Sequence, residues 1–181
     1  MVESGRHLPR RDGARRARRP GTRGARLGAH GKRAARRAKG LEATLVDRER
    51  RTVVALDPTD ERAREIWIAG PAALIVTKLH KIGERVGAQD RVRDKDALDL
   101  YRLFQAVPTD QLADGMRQLR AHPLSNDVTT EALITLRALF TRRHDEGIEM
   151  TVRAAGDPAN SDVMRASMVA LTTDLLAATD E

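Results

Sequence analysis

Ionisable residues interrupt two apolar helical stripes within residues 69–104, the segment AGPAALIVTKLHKIGERVGAQDRVRDKDALDLYRLF. Lys78 stands on the first stripe, and Asp96 and Asp99 stand on the second. Burying an unpaired charge costs several kcal/mol, so such residues are tolerated only where acid and base meet each other or meet a ligand. These three side chains are therefore the leading candidates for chemistry.

Helical geometry places further cations on the same side as Lys78. We measure positions as angles around the helix axis, with Ile75 at zero and about 100° added per residue. Ile82 then falls near −20° and Lys78 near −60°. Arg85, at about −80°, and Lys81, at about −120°, extend this side into a cationic stripe. On the second helix, Asp96 and Asp99 face with Leu100 and Leu103.

Two interpretations of this pattern remain open. The segment between the two helices is short enough to make them an antiparallel pair, which would bring Lys78 near Asp96 or Asp99. In the structural interpretation they form a salt bridge, or the lysine extends its charged head to water. In the functional one they line a cleft in which Lys78 and Arg85 hold phosphates while a carboxylate orients the lysine or the attacking group.

Three short apolar runs precede these helices, and their β-branched residues predict strands: residues 41–46, 52–56 and 65–69. The sequence DRER fits a hairpin between the first two, and DPTDERAR fits a longer loop. Before them, the AARRA stretch at 34–38 predicts a short helix that Gly40 ends.

After Gly70 the apolar period becomes helical. We expect a helix over 71–86 with Pro71 in its first turn and Ile75, Leu79, Ile82 and Val86 inward, and a second from an Asp94 cap to Val107. A third helix would follow a cap at Thr109 or Asp110, with inward residues Leu112, Met116 and Leu119. A fourth would follow a cap at Thr129 or Thr130, with inward residues Leu133, Leu136 and Phe140. A fifth would cover 161–178 (Val163, Met164, Met168, Leu171, Leu175).

These elements predict an α+β fold, with a small mixed or antiparallel sheet of about three strands followed by a bundle of about five helices. The expected organisation is a basic head at 1–22, disordered or not native to the protein, a sheet region at 23–70 and a helical region at 71–181.

The charge is unevenly distributed. Residues 1–40 hold 14 Lys/Arg against Glu3 and Asp12, whereas the remaining residues hold 19 basic and 24 acidic groups. A basic head of this kind either binds nucleic acid, because clustered cations release counterions from phosphates, or stays disordered, because Arg, Gly and Ala bury little apolar surface. A misread translation start would also produce it.

Composition excludes several classes of site. The chain has no cysteine, so disulfides and Cys-based metal centres are ruled out, and its five histidines lack metal-ligand spacing and are expected at the surface. No apolar run approaches a membrane span. These features predict a soluble cytoplasmic protein with no membrane partner.

The segments AGPAALIVTKLHKIGER and RDKDALDLYRL resemble the C-terminal half of the AbiEii-type nucleotidyltransferases, the toxins of abortive-infection toxin–antitoxin pairs. That family resembles the polymerase-β-like superfamily in fold, a small mixed sheet flanked by helices. The likeness covers approximately residues 23–145. It implies that Lys78, Asp96 and Asp99 are catalytic, that Lys81 and Arg85 assist at the triphosphate, and that intact relatives use Mg²⁺ and an NTP to transfer a nucleotide to RNA or protein. It also implies a cognate antitoxin as partner.

The chain departs from the family pattern at its metal site. Such enzymes resemble one another in a Gly-Ser turn and a following strand with two carboxylates, which bind the divalent metal needed for phosphoryl transfer. Upstream of residue 41 only Glu3 and Asp12 are acidic, and no Gly-Ser pair occurs. Asp94 and Asp96 have the spacing but lie at a helix start. We therefore predict no metal ligands and a truncated, catalytically incomplete nucleotidyltransferase; the alternative is a non-enzymatic nucleic-acid- or protein-binding module with a basic arm.

Overall fold

The computed structural model describes residues 24–25, 35–36, 38–86 and 91–180. The chain divides into two compact units, residues 1–38 and residues 39–181. The first contains two strands of two residues each, β1 (Gly24–Ala25) and β2 (Ala35–Arg36), which pair antiparallel with Gly24 opposite Arg36. The helix predicted at 34–38 is therefore wrong at Ala35 and Arg36. The predicted disorder of residues 1–22 lies outside the described residues.

The second unit begins with a short helix and a β-hairpin. Helix α1 is Ala43–Val46, and strands β3 (Arg48–Val54) and β4 (Ala63–Ala69) pair antiparallel over their full length, from Arg48 opposite Ala69 to Val54 opposite Ala63. The first predicted strand, 41–46, is thus wrong: Ala43 is buried, and α1 packs against α2 (Pro71–Arg85). Tertiary packing has overridden β propensity there. The predicted DRER turn lies largely in β3 instead.

The rest of this unit is helical. After α2, the described chain forms α3 (Arg91–Ala106), α4 (Thr109–Ala121), α5 (Asn126–Phe140), α6 (Glu146–Ala155) and α7 (Ser161–Asp180). The predicted α+β class with a helical bundle is confirmed. Helix α6 was not predicted, and none of the described helices is both long and apolar enough to cross a membrane.

A single apolar core joins these helices. Its largest fully buried side chains lie on α2 through α7: Ile75, Leu79, Ile82, Leu100, Leu112, Met116, Leu119, Leu136, Phe140, Ile148, Met150 and Met168. The residues predicted to face inward are buried on α2 as far as Ile82, and all of those predicted on α4 and α5 are buried. On α7 the prediction is confirmed for Met168 and Leu175. Val86 and Val163 were wrongly predicted to face inward, since they are 42% and 69% exposed.

Several predicted helix boundaries are wrong. Asp94 is not a cap, because α3 begins three residues earlier and places its carboxylate inside the bundle, fully buried. Helix α4 includes Thr109 after Pro108, and α5 starts at Asn126, upstream of the predicted caps at Thr129 and Thr130. The Thr129 hydroxyl instead donates to the Ser125 carbonyl at 2.7 Å, within the helix. Asp94 has a tertiary partner, Arg153, and Thr129 has an intrahelical one, and the neighbouring sequence reveals neither.

Candidate functional site

Helices α2 and α3 pack together and bring the predicted site residues into one cluster. The Lys78 Nζ donates to Asp99 Oδ2 at 2.9 Å and to Asp96 Oδ1 at 3.5 Å. This contact was predicted from the two helical stripes, and the geometry confirms it. We call Lys78, Lys81, Arg85, Asp96, Asp99 and Arg102 the α2–α3 charge cluster.

The other predicted cations also reach the carboxylates. Arg85 donates to Asp96 Oδ2 at 2.5 Å, and Lys81 Nζ lies 3.9 Å from Asp96 Oδ1. On the far side, Arg102 donates to Asp99 Oδ1 at 3.4 Å, one turn along α3. All five predicted site residues therefore meet, and Arg102 is a member that the sequence reasoning missed. Its position three residues after Asp99 on a helix was the available signal.

Exposure rises from the carboxylates outwards. The side chains of Asp96, Lys78 and Asp99 are 10%, 20% and 23% exposed, whereas those of Lys81 and Arg102 are 50% and 65% exposed. The acids thus lie at the base of the cluster, and two cations lie at its rim. Among the six named side chains four are cationic and two are anionic, and the two most exposed ones, Lys81 and Arg102, are cationic.

The neighbouring cations change the acidity of Asp99. Burial alone would raise its pKa, but the hydrogen bond and charge of Lys78, together with the charges of Lys95 and Arg102, outweigh burial. The pKa of the Asp99 carboxyl is therefore lowered from its ordinary value. At neutral pH this carboxylate is ionised and is occupied as a hydrogen-bond acceptor, so it is poorly suited to act as a general base in this state.

The carboxylates of the cluster do not fit a divalent metal. Magnesium is bound through carboxylate oxygens in near-octahedral geometry, usually with several waters. Here both oxygens of Asp96 and both oxygens of Asp99 have cationic partners. Asp94 does not help, because Arg153 holds it at 2.8 Å in the interior. The described residues contain no group of three His, Asp or Glu side chains that could hold a metal.

A phosphate fits the cluster better than a metal does. Lys81 and Arg102 at the rim can donate charge-assisted hydrogen bonds to phosphate oxygens. A separate groove of about 410 Å³ lies at the base of the β-hairpin, between Arg48, Arg51, Gly70 and Gln111. None of the predicted site residues lines that groove.

His80 differs from its predicted position at the surface. It is buried on α2, where its Nε2 lies 2.8 Å from the Val128 carbonyl oxygen of α5. It points away from Lys78, as predicted, and its contact with Val128 links α2 to α5. His7 and His30, also predicted at the surface, lie outside the described residues.

The β-hairpin carries an exposed aromatic group that the sequence reasoning did not use. The guanidinium groups of Arg48 and Arg50 lie 4.5 and 5.0 Å from the centre of the Trp67 ring. Trp67 is 53% exposed. The alternation of side chains along paired strands, with Arg50 directly opposite Trp67, was the signal that could have found this arrangement.

Comparisons of the chain with protein-family models, with curated proteins and with solved structures give no match. The resemblance to the AbiEii-type nucleotidyltransferases therefore stays a prediction carried by the two segments that contain Lys78, Asp96 and Asp99.

Proposed function

We propose that this protein is an AbiEii-like nucleotidyltransferase homologue whose α2–α3 charge cluster binds the phosphates of a nucleoside triphosphate. The observation that carries the proposal is the meeting of Lys78, Lys81 and Arg85 with Asp96 and Asp99, with an excess of cations at the exposed rim. In this proposal the carboxylates hold the long cationic side chains in place, and Lys81 and Arg102 contact the phosphate oxygens with Lys78 behind them. Holding these side chains in advance lowers the entropy lost on binding.

Nucleotide transfer by this chain alone is not part of the proposal. Phosphoryl transfer in the superfamily that it resembles depends on metal-bound carboxylates, and the acids of the cluster are engaged by cations. Incubation with labelled NTPs, Mg²⁺ and total tRNA should therefore give no labelled product. Robust transfer that Lys78→Ala abolishes would overturn this part and identify Lys78 as catalytic.

The binding test uses two lysines of equal exposure. Lys81 and Lys39 both have side chains that are 50% exposed, but Lys39 pairs with Glu131 away from the cluster. Calorimetric titration of the full chain with an NTP should show binding that Lys81→Ala weakens by about tenfold, since one charge-assisted contact contributes about 1.4 kcal/mol, whereas Lys39→Ala leaves the affinity unchanged. Equal affinities in the two variants, or no binding to the parent chain, would contradict the proposal.

A second candidate function is nucleic-acid binding without catalysis. It is favoured by the 14 Lys/Arg of residues 1–40 and by the exposed Trp67 flanked by two arginines, because aromatic and guanidinium planes stack on unpaired bases. It predicts RNA binding that weakens steeply with salt and is lost on deletion of residues 1–40, with Lys78→Ala harmless. If the RNA affinity survives this deletion, the basic arm is not the segment that binds RNA.

A further inference from the structure

The β3–β4 hairpin is exposed on both faces. Every residue of the two strands is exposed except Ala69, which is half-buried. Paired residues share a face, so Trp67 lies on one side and Ile66 and Ile68 lie on the other, beside Val53. An isolated two-stranded hairpin is marginally stable in water, and exposed apolar patches commonly mark interaction surfaces.

The two outer edges of this hairpin differ in chemistry. Strand β3 begins RERR, and charged side chains are a usual means of preventing edge-to-edge pairing. Strand β4 carries Ile66, Trp67 and Ile68 in succession, has neither Pro nor Gly, and keeps an unbroken register with β3. Among the described residues β4 pairs only with β3, and no other described strand lies along its outer edge.

Charge favours a protein strand over nucleic acid at this edge. Residues 48–69 contain five arginines and five acidic residues: Arg48, Arg50, Arg51, Arg62 and Arg64 with Glu49, Asp57, Asp60, Glu61 and Glu65. A surface that is neutral overall gains little from phosphate neutralisation. It can also approach an identical surface without Coulomb repulsion.

We propose that β4 pairs antiparallel with β4 of a second copy of this chain, forming a continuous four-stranded sheet across a two-fold axis. In such a pair, residues that lie opposite each other are on the same face of the sheet only when one residue lies opposite its own copy. The two-fold axis then passes beside that residue. An axis at Arg64 or Glu65 would place like charges directly opposite, which is destabilising. An axis at Ile66 or Trp67 avoids this, and it places Ile66 opposite either Ile66 or Ile68 of the second copy.

Sedimentation analysis of the full chain over a dilution series tests the proposal. The expected species has twice the chain mass. Ile66→Lys should make it monomeric by inserting a charge at the centre of the new strand pair, whereas Val53→Lys makes the same change on β3 and should leave the dimer intact. The helical circular dichroism of both variants verifies that the bundle remains folded; Ala69, at the end of β4, is the strand residue that packs against its core, and both substitutions lie away from it.

Introduced cysteines locate the axis, because the chain has none of its own. Residues facing each other across an antiparallel pair lie at a separation of about 5 Å, which suits a disulfide. Either Ile66→Cys or Trp67→Cys should cross-link to its own copy under oxidation, and Val53→Cys should not. A chain that is monomeric throughout, a dimer that persists in Ile66→Lys, or a monomer whose Trp67 fluorescence is quenched by single-stranded RNA would each overturn the proposal.

Discussion

Lys78 touches two carboxylates at once, and this makes the cost of removing it measurable. Lys78→Met should lower the free energy of unfolding by about 2 kcal/mol, less than for a fully buried pair because the three side chains retain some contact with water. Adding Asp99→Leu should recover part of the loss, since Asp96 keeps Arg85 as a partner. Urea unfolding of the two single variants and the pair gives the coupling directly. Lys39→Met, which breaks an exposed pair, should cost below about 1 kcal/mol; a loss as large as that of Lys78→Met would contradict the account.

Asp99 also gives the cluster a pH dependence. Its pKa in the folded protein is lowered, through Lys78, Lys95 and Arg102 acting against burial, so its stabilising contribution is present above the unfolded pKa of about 3.9 and is lost as pH falls through the folded pKa. The difference in unfolding free energy between the parent chain and Asp99→Asn should therefore stay constant down to about pH 5 and shrink as the pH falls further, through the unfolded pKa of about 3.9 and towards the lower folded pKa. Chemical denaturation across that range measures it. A constant difference would show that the ionised carboxylate contributes nothing.

Helix α6 is joined to α3 by an ion pair that passes inside the bundle. Arg153 donates to Asp94 at 2.8 Å and to Glu146 at 2.8 Å, and its hydrogen bond to the Asp94 carboxylate raises the pKa of Arg153 despite burial. Arg153→Met should cost about 3 kcal/mol or more, because it leaves the fully buried Asp94 without its cation. Arg143→Met, which breaks the surface contact with Asp162, is the matched control. Equal losses of thermal stability in the two variants would show that burial of Asp94 adds nothing.

The periodicity of the sequence predicted the elements with long apolar stripes and missed those that depend on tertiary partners. Ile75, Leu79 and Ile82 on α2 were placed correctly because three turns of one face are apolar. Helix α6 has ten residues and few large apolar side chains, so its pattern is weak on its own. Without α6 there was no partner for Asp94, and a cap was the nearest local explanation. The meeting of Lys78 with Asp99 was predictable because a short connection constrains neighbouring helices.

At the scale of the whole molecule, the apolar core of the described residues lies in the second compact unit. All core residues lie between Ala43 and Leu176. Deletion of residues 1–38 should therefore leave the helical unfolding transition within a few degrees of the parent chain, as followed by circular dichroism. The matched comparison is a chain ending at residue 160, which lacks α7 and its buried Met168 and Leu175, and should unfold far more easily. A large destabilisation by the first deletion would show that the basic segment supports the fold.

In the proposed function the α2–α3 charge cluster is a binding surface for phosphate, in addition to its effect on stability. Titration of the isotope-labelled full chain with an NTP, followed through backbone amide resonances, tests this most directly. The account predicts that the largest shifts lie on residues 78–85 of α2 and 95–102 of α3. Shifts confined to other elements, or no shifts at all, would contradict it and leave the cluster as a structural brace between two helices.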